Sequence, residues 1–318
     1  MKVTLIVPTK TLDHRIDILL NTSEAFGYDL IIVEGRNPSF QRNEAVKRAT
    51  GEIIYFVDND SVVAKGNVEK ALALFEANAT VGIIGGPSLT PETDSLLQKA
   101  FGTALASPFA TGKSAARYKS IGEMRETDEK EIILCNFFIR KSLFDELSGF
   151  NETLYPNEEN EFMNRVAGLG YKIIYAPDIT VNRSQRKTWE LFLNQCFAYG
   201  KGRAEQIKVK FEKKDLVNLV PAVFVFYLLL LVGFIVVELS FDFVIALPLP
   251  IYLGLSLFSA FKAWLENKNI KIFMLLFFIF PIVHILYGCG LIFGFIFSKK
   301  KNLDKNIEFM RVPAGREF

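Results

Sequence analysis

The chain has 318 residues, half of them hydrophobic, and a formal net charge of +2. So small a charge, with no basic stripe interleaved with aromatics, argues against a nucleic-acid partner. Cys135, Cys196 and Cys289 are too far apart for a Cys-x-x-Cys site and odd in number, and the only histidines are His14 and His284. These counts disfavour a disulfide framework, exclude a His-rich zinc centre, and fit a soluble part that faces a reducing cytoplasm.

Val3 to Val7, ended by Pro8, predicts a buried strand. Leu12, Ile16, Leu19 and Leu20 recur at helical spacing, with Gly27 as a stop. Leu30 to Val33 predicts a second strand ending at Glu34-Gly35. Ser39 is placed to cap a helix running to Ala49, and Ile53 to Val57 predicts a third strand. A helix over Asn67–Ala77 and a strand over Val81–Ile84 follow, closed by Gly85-Gly86-Pro87. This alternation predicts an α/β fold with a mainly parallel, Rossmann-like sheet covered by helices on both faces.

The third strand stops at Asp58-Asn59-Asp60. In open α/β sheets ligands bind outside the carboxyl ends of strands, and buried unpaired carboxylates are costly. One carboxylate of such a pair can take a divalent cation and the other can reach nucleotide sugar hydroxyls; Mg²⁺ and Mn²⁺ favour oxygen ligands shared with phosphates. The same residues also suit a solvated turn. Glu34 ends the second strand on the same edge.

Ser95 to Lys119 carries apolar residues at roughly helical spacing, interrupted by Gly102, Pro108 and Gly112, and residues 110–119 read as a mobile loop. Ile132 to Ile139 predicts a strand and Lys141 to Leu147 a short helix. Glu158, Glu159 and Glu161 open the next helix. Acids in a first turn favour the helix dipole, but three in four positions exceed what a cap requires, and one suits a general base. Lys172 to Ala176 predicts a last strand.

Thr188 to Glu212 predicts an amphipathic helix followed by a lysine cluster, suited either to a membrane surface or to packing on the core. Charges then nearly vanish. The stretches 217–237, 243–261 and 272–297 each have about enough apolar residues to cross a ~30 Å hydrocarbon core. Lysines before the first stretch, and Lys262, Lys268 and Lys271 after the second, place the globular part inside. Lys299 to Lys301 also prefer the inside, whereas three simple crossings put them outside; a re-entrant hairpin in the third stretch is one resolution. His284 lies deep in that stretch without an obvious partner.

Together these motifs resemble glycosyltransferase family 2, inverting enzymes with a GT-A fold. The matching stretches are Ile6-Val7-Pro8-Thr9, Ile32 to Gly35, Gln41-Arg42-Asn43, Phe56 to Asp60, Gly85-Gly86-Pro87, Cys135-Asn136 with Arg140, Gly149 to Glu152, Asn157 to Glu161 with Arg165, and Gly170-Tyr171. Gln195, residues 199–203 and the His284, Tyr287-Gly288, Gly290 pattern resemble its membrane-attached succinoglycan and exopolysaccharide branch. The resemblance implies donor contacts at Pro8, Thr9, Glu34, Arg42, Asp58, Asn59 and Asp60, with Asp60 and Asp58 holding Mn²⁺ or Mg²⁺. It implies Glu159, with Glu158 as its competitor, as the catalytic base. Gln195 and Arg203 stand in the region that meets acceptor and diphosphate. Asn182-Arg183 stand where many relatives carry a metal-binding His, so no third protein ligand is expected.

The expected organisation is a catalytic domain over 1–186, a membrane-interface helix region over 187–215, a transmembrane region over 216–298 and a basic tail over 299–318. The expected activity moves a sugar from a nucleotide-diphospho-sugar to a lipid-linked saccharide, at the cytoplasmic face of the cell membrane in contact with its lipids. A polyprenyl-phosphate sugar synthase is the alternative, and a non-catalytic nucleotide-sugar-binding scaffold a more distant one.

Overall fold

In the computed structural model, residues 1–11, 28–237, 243–297 and 304–312 are described. The helix expected over residues 12–20 lies outside them. The chain divides into two units. One comprises Met1–Pro91, Lys113–Ser184 and Lys300–Phe318, and the other Glu92–Gly112 and Gln185–Lys299.

The first unit begins with β1 (Val3–Thr9), β2 (Asp29–Gly35), α1 (Pro38–Arg48), β3 (Ile53–Val57), β4 (Ser61–Val63), α2 (Asn67–Ala77), β5 (Val81–Gly85) and β6 (Ser88–Leu89). Every residue of β1, β3 and β5 is buried, as strands covered on both faces require. Asn37, not Ser39, caps α1 by accepting the Phe40 N–H at 3.2 Å. Ser39 is buried and donates to the Leu154 carbonyl instead.

Chain order continues through the second unit with α3 (Leu96–Leu105) and α4 (Pro108–Thr111). A 3-10 helix at Gly112–Arg117 leads back into the first unit, to β7 (Arg125–Thr127), β8 (Asn136–Arg140), α5 (Lys141–Glu146), α6 (Glu158–Gly168), β9 (Lys172–Tyr175) and β10 (Val181–Arg183). Residues 110–119, expected as a mobile loop, are therefore largely helical, with Ala115 and Ala116 buried. The apolar run from Ile132 joins the sheet only at Asn136, because a turn closed by the Asn136 N–H on the Ile133 carbonyl precedes it.

The main sheet has the order β11-β2-β1-β3-β8-β5-β9-β7, where β11 is Ile307–Val312. β1 runs parallel to β2 and β3, and β5 to β9, while β8 lies antiparallel between β3 and β5. The sheet is thus mixed. β11 comes from the stretch expected only as a basic tail and pairs antiparallel with β2. Arg311 grips Asp29 with two hydrogen bonds, at 2.8 and 3.0 Å. A smaller sheet, β4-β10-β6, sits at the end of β3. Gly86 allows the close approach it requires: a Cβ there would lie 2.0 Å from the Ile179 carbonyl oxygen.

In the second unit, α7 (Trp189–Val209) begins at its Thr188 cap. It is followed by a 3-10 turn, α8 (Val220–Val236), α9 (Phe243–Ala246), α10 (Pro248–Asn267) and α11 (Ile270–Phe297). Among the described residues three helical stretches are long and apolar enough to cross a membrane: Lys213–Val236, Phe243–Asn267 and Ile270–Phe297. α11 is one unbroken helix through Pro281, not the re-entrant hairpin considered from sequence. Glycines let α7 and α11 touch backbone to backbone: a Cβ at Gly200 would lie 2.0 Å from the Tyr287 carbonyl oxygen, and one at Gly290 2.1 Å from that of Phe197. His284 has partners after all. Its Nδ1 meets the Tyr252 hydroxyl at 2.8 Å and its Nε2 the Phe109 carbonyl at 3.0 Å.

Candidate active site

The carboxyl ends of β1, β2 and β3 lie side by side, because β1 pairs in parallel with both neighbours. This brings Pro8 and Thr9, Glu34, and the Asp58-Asn59-Asp60 turn to one edge. Thr9 stands beside Glu34 in the register, and Glu34 stands opposite Glu308 of β11. The Asn59 amide donates to the Thr9 hydroxyl at 3.1 Å, and the Gln41 amide donates to the Thr9 carbonyl at 2.8 Å. Thr9 is therefore held from two sides.

Arginines join the acids into a ladder. Arg42 on α1 is 5% exposed and bonds Asp58 Oδ1 through Nη2 and Glu158 Oε1 through Nη1, each at 3.1 Å. Arg183 on β10 bonds Asp60 Oδ1 through Nε at 2.9 Å and lies 3.3 Å from Asp58 Oδ2 through Nη2. Its place is fixed by the small sheet, where Arg183 pairs with Ser61, the residue after Asp60. Both oxygens of Asp58 thus face a guanidinium.

The three acids of α6 have separate partners. Glu161 pairs with Arg165, which also binds the Leu147 and Gly149 carbonyls, a packing role. Glu158 is 2% exposed, and its Oε2 is buried without a hydrogen-bond partner among the described residues. Burial, reinforced by the neighbouring Glu159 charge and opposed by Arg42, pushes its carboxyl up to about 8. Glu159 is 9% exposed and lies 3.5 Å from Arg117. Arg117 is anchored to the Lys130 carbonyl and to Asn160, whose amide in turn bonds Asn157. Asn157 has φ of 87°, left-handed backbone that is uncommon outside glycine and clusters at functional sites.

Asp58 and Asp60 supply the hard oxygen donors that Mn²⁺ and Mg²⁺ accept. Among the described residues, however, no group of three or more His, Cys, Asp or Glu side chains converges on one point. The donor set fits a cation completed by ligands from a bound substrate.

Gln195 and Arg203 lie on α7, in the other unit. Gln195 donates to the Tyr199 hydroxyl and accepts from Arg186, while Arg203 is buried and donates to Gln206. Sequence reasoning missed Arg117 and gave Arg183 no role. Their positions depend on a 3-10 helix and a three-residue strand that leave little periodic signal.

Comparison with known families matches residues 53–296 to the model described as glycosyl transferase family group 2. The chain belongs to that family. Its curated relatives include the O-antigen chain rhamnosyltransferase RfbN of Salmonella typhimurium, 26% identical over 156 residues. That match covers 46% of this chain and 46% of the relative, so it spans about half of the relative's length. Among solved structures, the mannosyltransferase PcManGT from Pyrobaculum calidifontis, in complex with GDP-Man and Mn²⁺, is similar with a TM-score of 0.60. It is 14% identical, and the match covers 94% of this chain and 88% of that one, a likeness of fold. The chain therefore has the expected GT-A fold, followed by apolar helices that suit membrane association.

Proposed function

We propose that this transferase is a membrane-attached inverting enzyme that moves a sugar from a nucleotide-diphospho-sugar to a lipid-linked saccharide. The observation that carries the reading is the contrast between two adjacent carboxylates. Glu158 is sealed against Arg42, and burial favours its protonated form at neutral pH. Glu159 keeps more access and, among the described residues, makes a longer contact, to Arg117 at 3.5 Å. Neighbouring acids whose environments differ in this way suit different tasks. Glu159 is assigned as the base that takes the acceptor hydroxyl proton while that oxygen attacks the anomeric carbon. Glu158 is a positioning residue for Arg42. The bond from the anomeric carbon to the diphosphate breaks on the opposite face, which inverts the centre.

Asp60 and Asp58 are assigned to hold a divalent cation, which when bound screens the charge of the departing diphosphate. Thr9, Asn59 and Glu34 are assigned to the nucleoside, and Pro8 to the shape of that edge. Arg42 fixes Asp58 against it. Gln195 is assigned to the acceptor. Arg203 is already bonded within α7, which supports a packing role there. The O-antigen relative supports a polysaccharide destination for the sugar.

The β11–β2 pairing supports an even number of membrane crossings, because the sheet and the strand that follows the apolar helices share one unit. We assign α8 and α10 as the crossing pair and α11 to the catalytic side. Lys208 of α7 donates to the Gly294 carbonyl of α11 at 2.8 Å, so charged groups line this end of α11. Lys262, Lys268 and Lys271 then face the cytoplasm, as the loop-charge rule expects.

Thermal-shift measurements on the detergent-purified full chain, with UDP-, GDP- and dTDP-sugars in Mn²⁺ or EDTA, test the donor site. A ligand that binds only the folded state raises stability by mass action. One nucleotide series is expected to raise Tm with Mn²⁺ and to lose the shift in EDTA; no shift with any of them overturns the donor assignment.

A further inference from the structure

We propose that the Arg183 guanidinium is a resident counter-ion that competes with a divalent cation for Asp58 and Asp60, so that cation and nucleotide diphosphate enter the site as a pair. The inference rests on the donor-site reading above. It begins from the register of the small sheet, which sets Arg183 opposite Ser61 and so beside the Asp-x-Asp turn. The side chain then reaches Asp60 Oδ1 at 2.9 Å and Asp58 Oδ2 at 3.3 Å. One cation already spans the two carboxylates.

That cation is an arginine, which cannot leave by losing its proton. Asp58 cannot simply turn its other oxygen to a metal, because Arg42 holds Oδ1 at 3.1 Å. A divalent cation arriving alone must therefore displace Arg183 or sit against its positive charge. Either is unfavourable, because like charges a few ångströms apart repel.

A nucleotide diphosphate changes the balance on both sides. Its oxygens supply ligands that the two carboxylates lack, and they offer the released guanidinium an anionic partner that it can bind through two hydrogen bonds in exchange for the carboxylates. Cation and nucleotide thus strengthen each other's binding, and by linkage the strengthening is equal in both directions. The guanidinium that pairs with Asp58 and Asp60 is then the group that meets the diphosphate once cation and nucleotide bind.

Mn²⁺ binding to the purified full chain tests this, read as the loss of the free-ion electron paramagnetic resonance signal. The probes are Mn²⁺ alone and Mn²⁺ with GDP, UDP or dTDP. The wild type is expected to bind Mn²⁺ weakly alone and at least about tenfold more tightly with the preferred nucleotide, an ordinary coupling magnitude. In Arg183→Ala, affinity for Mn²⁺ alone is expected to rise at least about tenfold, and the nucleotide enhancement to shrink, as removal of one nearby positive charge predicts. Arg183→Lys, a point charge that cannot span both carboxylates, should fall between the two. Asp60→Asn should remove the binding in every background, and circular dichroism checks that each variant is folded. Equal affinity of wild type and Arg183→Ala for Mn²⁺ alone overturns the proposal while leaving the donor site intact. Failure of the wild type to take up Mn²⁺ with any nucleotide overturns the donor-site reading, and this inference with it.

Discussion

Arg42 and Glu158 meet at 3.1 Å with both side chains buried, one on α1 and the other at the first turn of α6. The pair ties the helix that follows β2 to the helix that presents the acidic cluster. Breaking a buried pair from one side strands its partner. Arg42→Ala leaves the buried Glu158 carboxyl without its hydrogen-bond donor and Asp58 without one guanidinium partner, and is therefore expected to destabilise the first unit by about 1–3 kcal/mol. Chemical denaturation of the detergent-solubilised protein, followed by fluorescence, reads the loss; a change below about 1 kcal/mol would show the ladder to be a surface pair in energetic terms.

Glu158 makes stability depend on pH. Its folded pKa is raised, so the native state binds more protons than the unfolded chain between the ordinary value of 4.5 and about 8. Stability then falls as pH rises through that window, and the contribution is complete below it. Melting temperatures from pH 5 to pH 8 should fall more steeply in the wild type than in Glu158→Gln, in which this titration is gone. Parallel slopes would assign the dependence to other groups.

Glu159→Gln separates the two acceptor classes. Loss of a general base lowers kcat by roughly 10²–10⁴-fold if the acceptor is a hydroxyl, with little change in donor affinity. A phosphate acceptor is already ionised, and near-wild-type turnover in this variant would favour the polyprenyl-phosphate synthase instead.

Gly290 is a packing prediction in the second unit. A methyl group there meets the Phe197 carbonyl oxygen at 2.1 Å, a rigid backbone atom. Gly290→Ala should therefore force α7 and α11 apart and cost on the order of 1–3 kcal/mol, as overpacked cores do. Gly254, where an added methyl would have nothing within 4 Å among the described residues, is the control: Gly254→Ala should not lower the melting temperature.

Membrane sidedness can be read with reporters. Green fluorescent protein fused after Phe318 should fluoresce, and alkaline phosphatase at the same place should be inactive. The opposite pattern would contradict the assignment of α8 and α10 as the crossing pair.

Much of the fold was legible because it is periodic. The buried runs at Val3–Val7 and Ile53–Val57 form β1 and β3, and the apolar stretches form helices. The Asp-x-Asp turn was visible because acids at the end of an apolar strand have few bland explanations. What stayed hidden depends on distant pairing. Arg183 acquires its place only when β10 meets β4, and β11 only when a stretch beyond the apolar helices reaches β2. Neither short strand differs from loop sequence by composition alone. The ranking of Glu158 and Glu159 was equally out of reach, since both sit in one helical turn and differ only in what covers them.

The place of β11 bears on how the first unit can be handled. A truncation at Ser184, the natural choice for a water-soluble fragment, removes the strand that covers β2. It leaves a row of unpaired backbone groups beside a strand whose centre is apolar, the kind of edge that recruits other chains. Such a fragment should clump even with its site intact. Rejoining residues 304–312 through a short flexible linker would close the edge and give a soluble version that crystallographers and enzymologists can share.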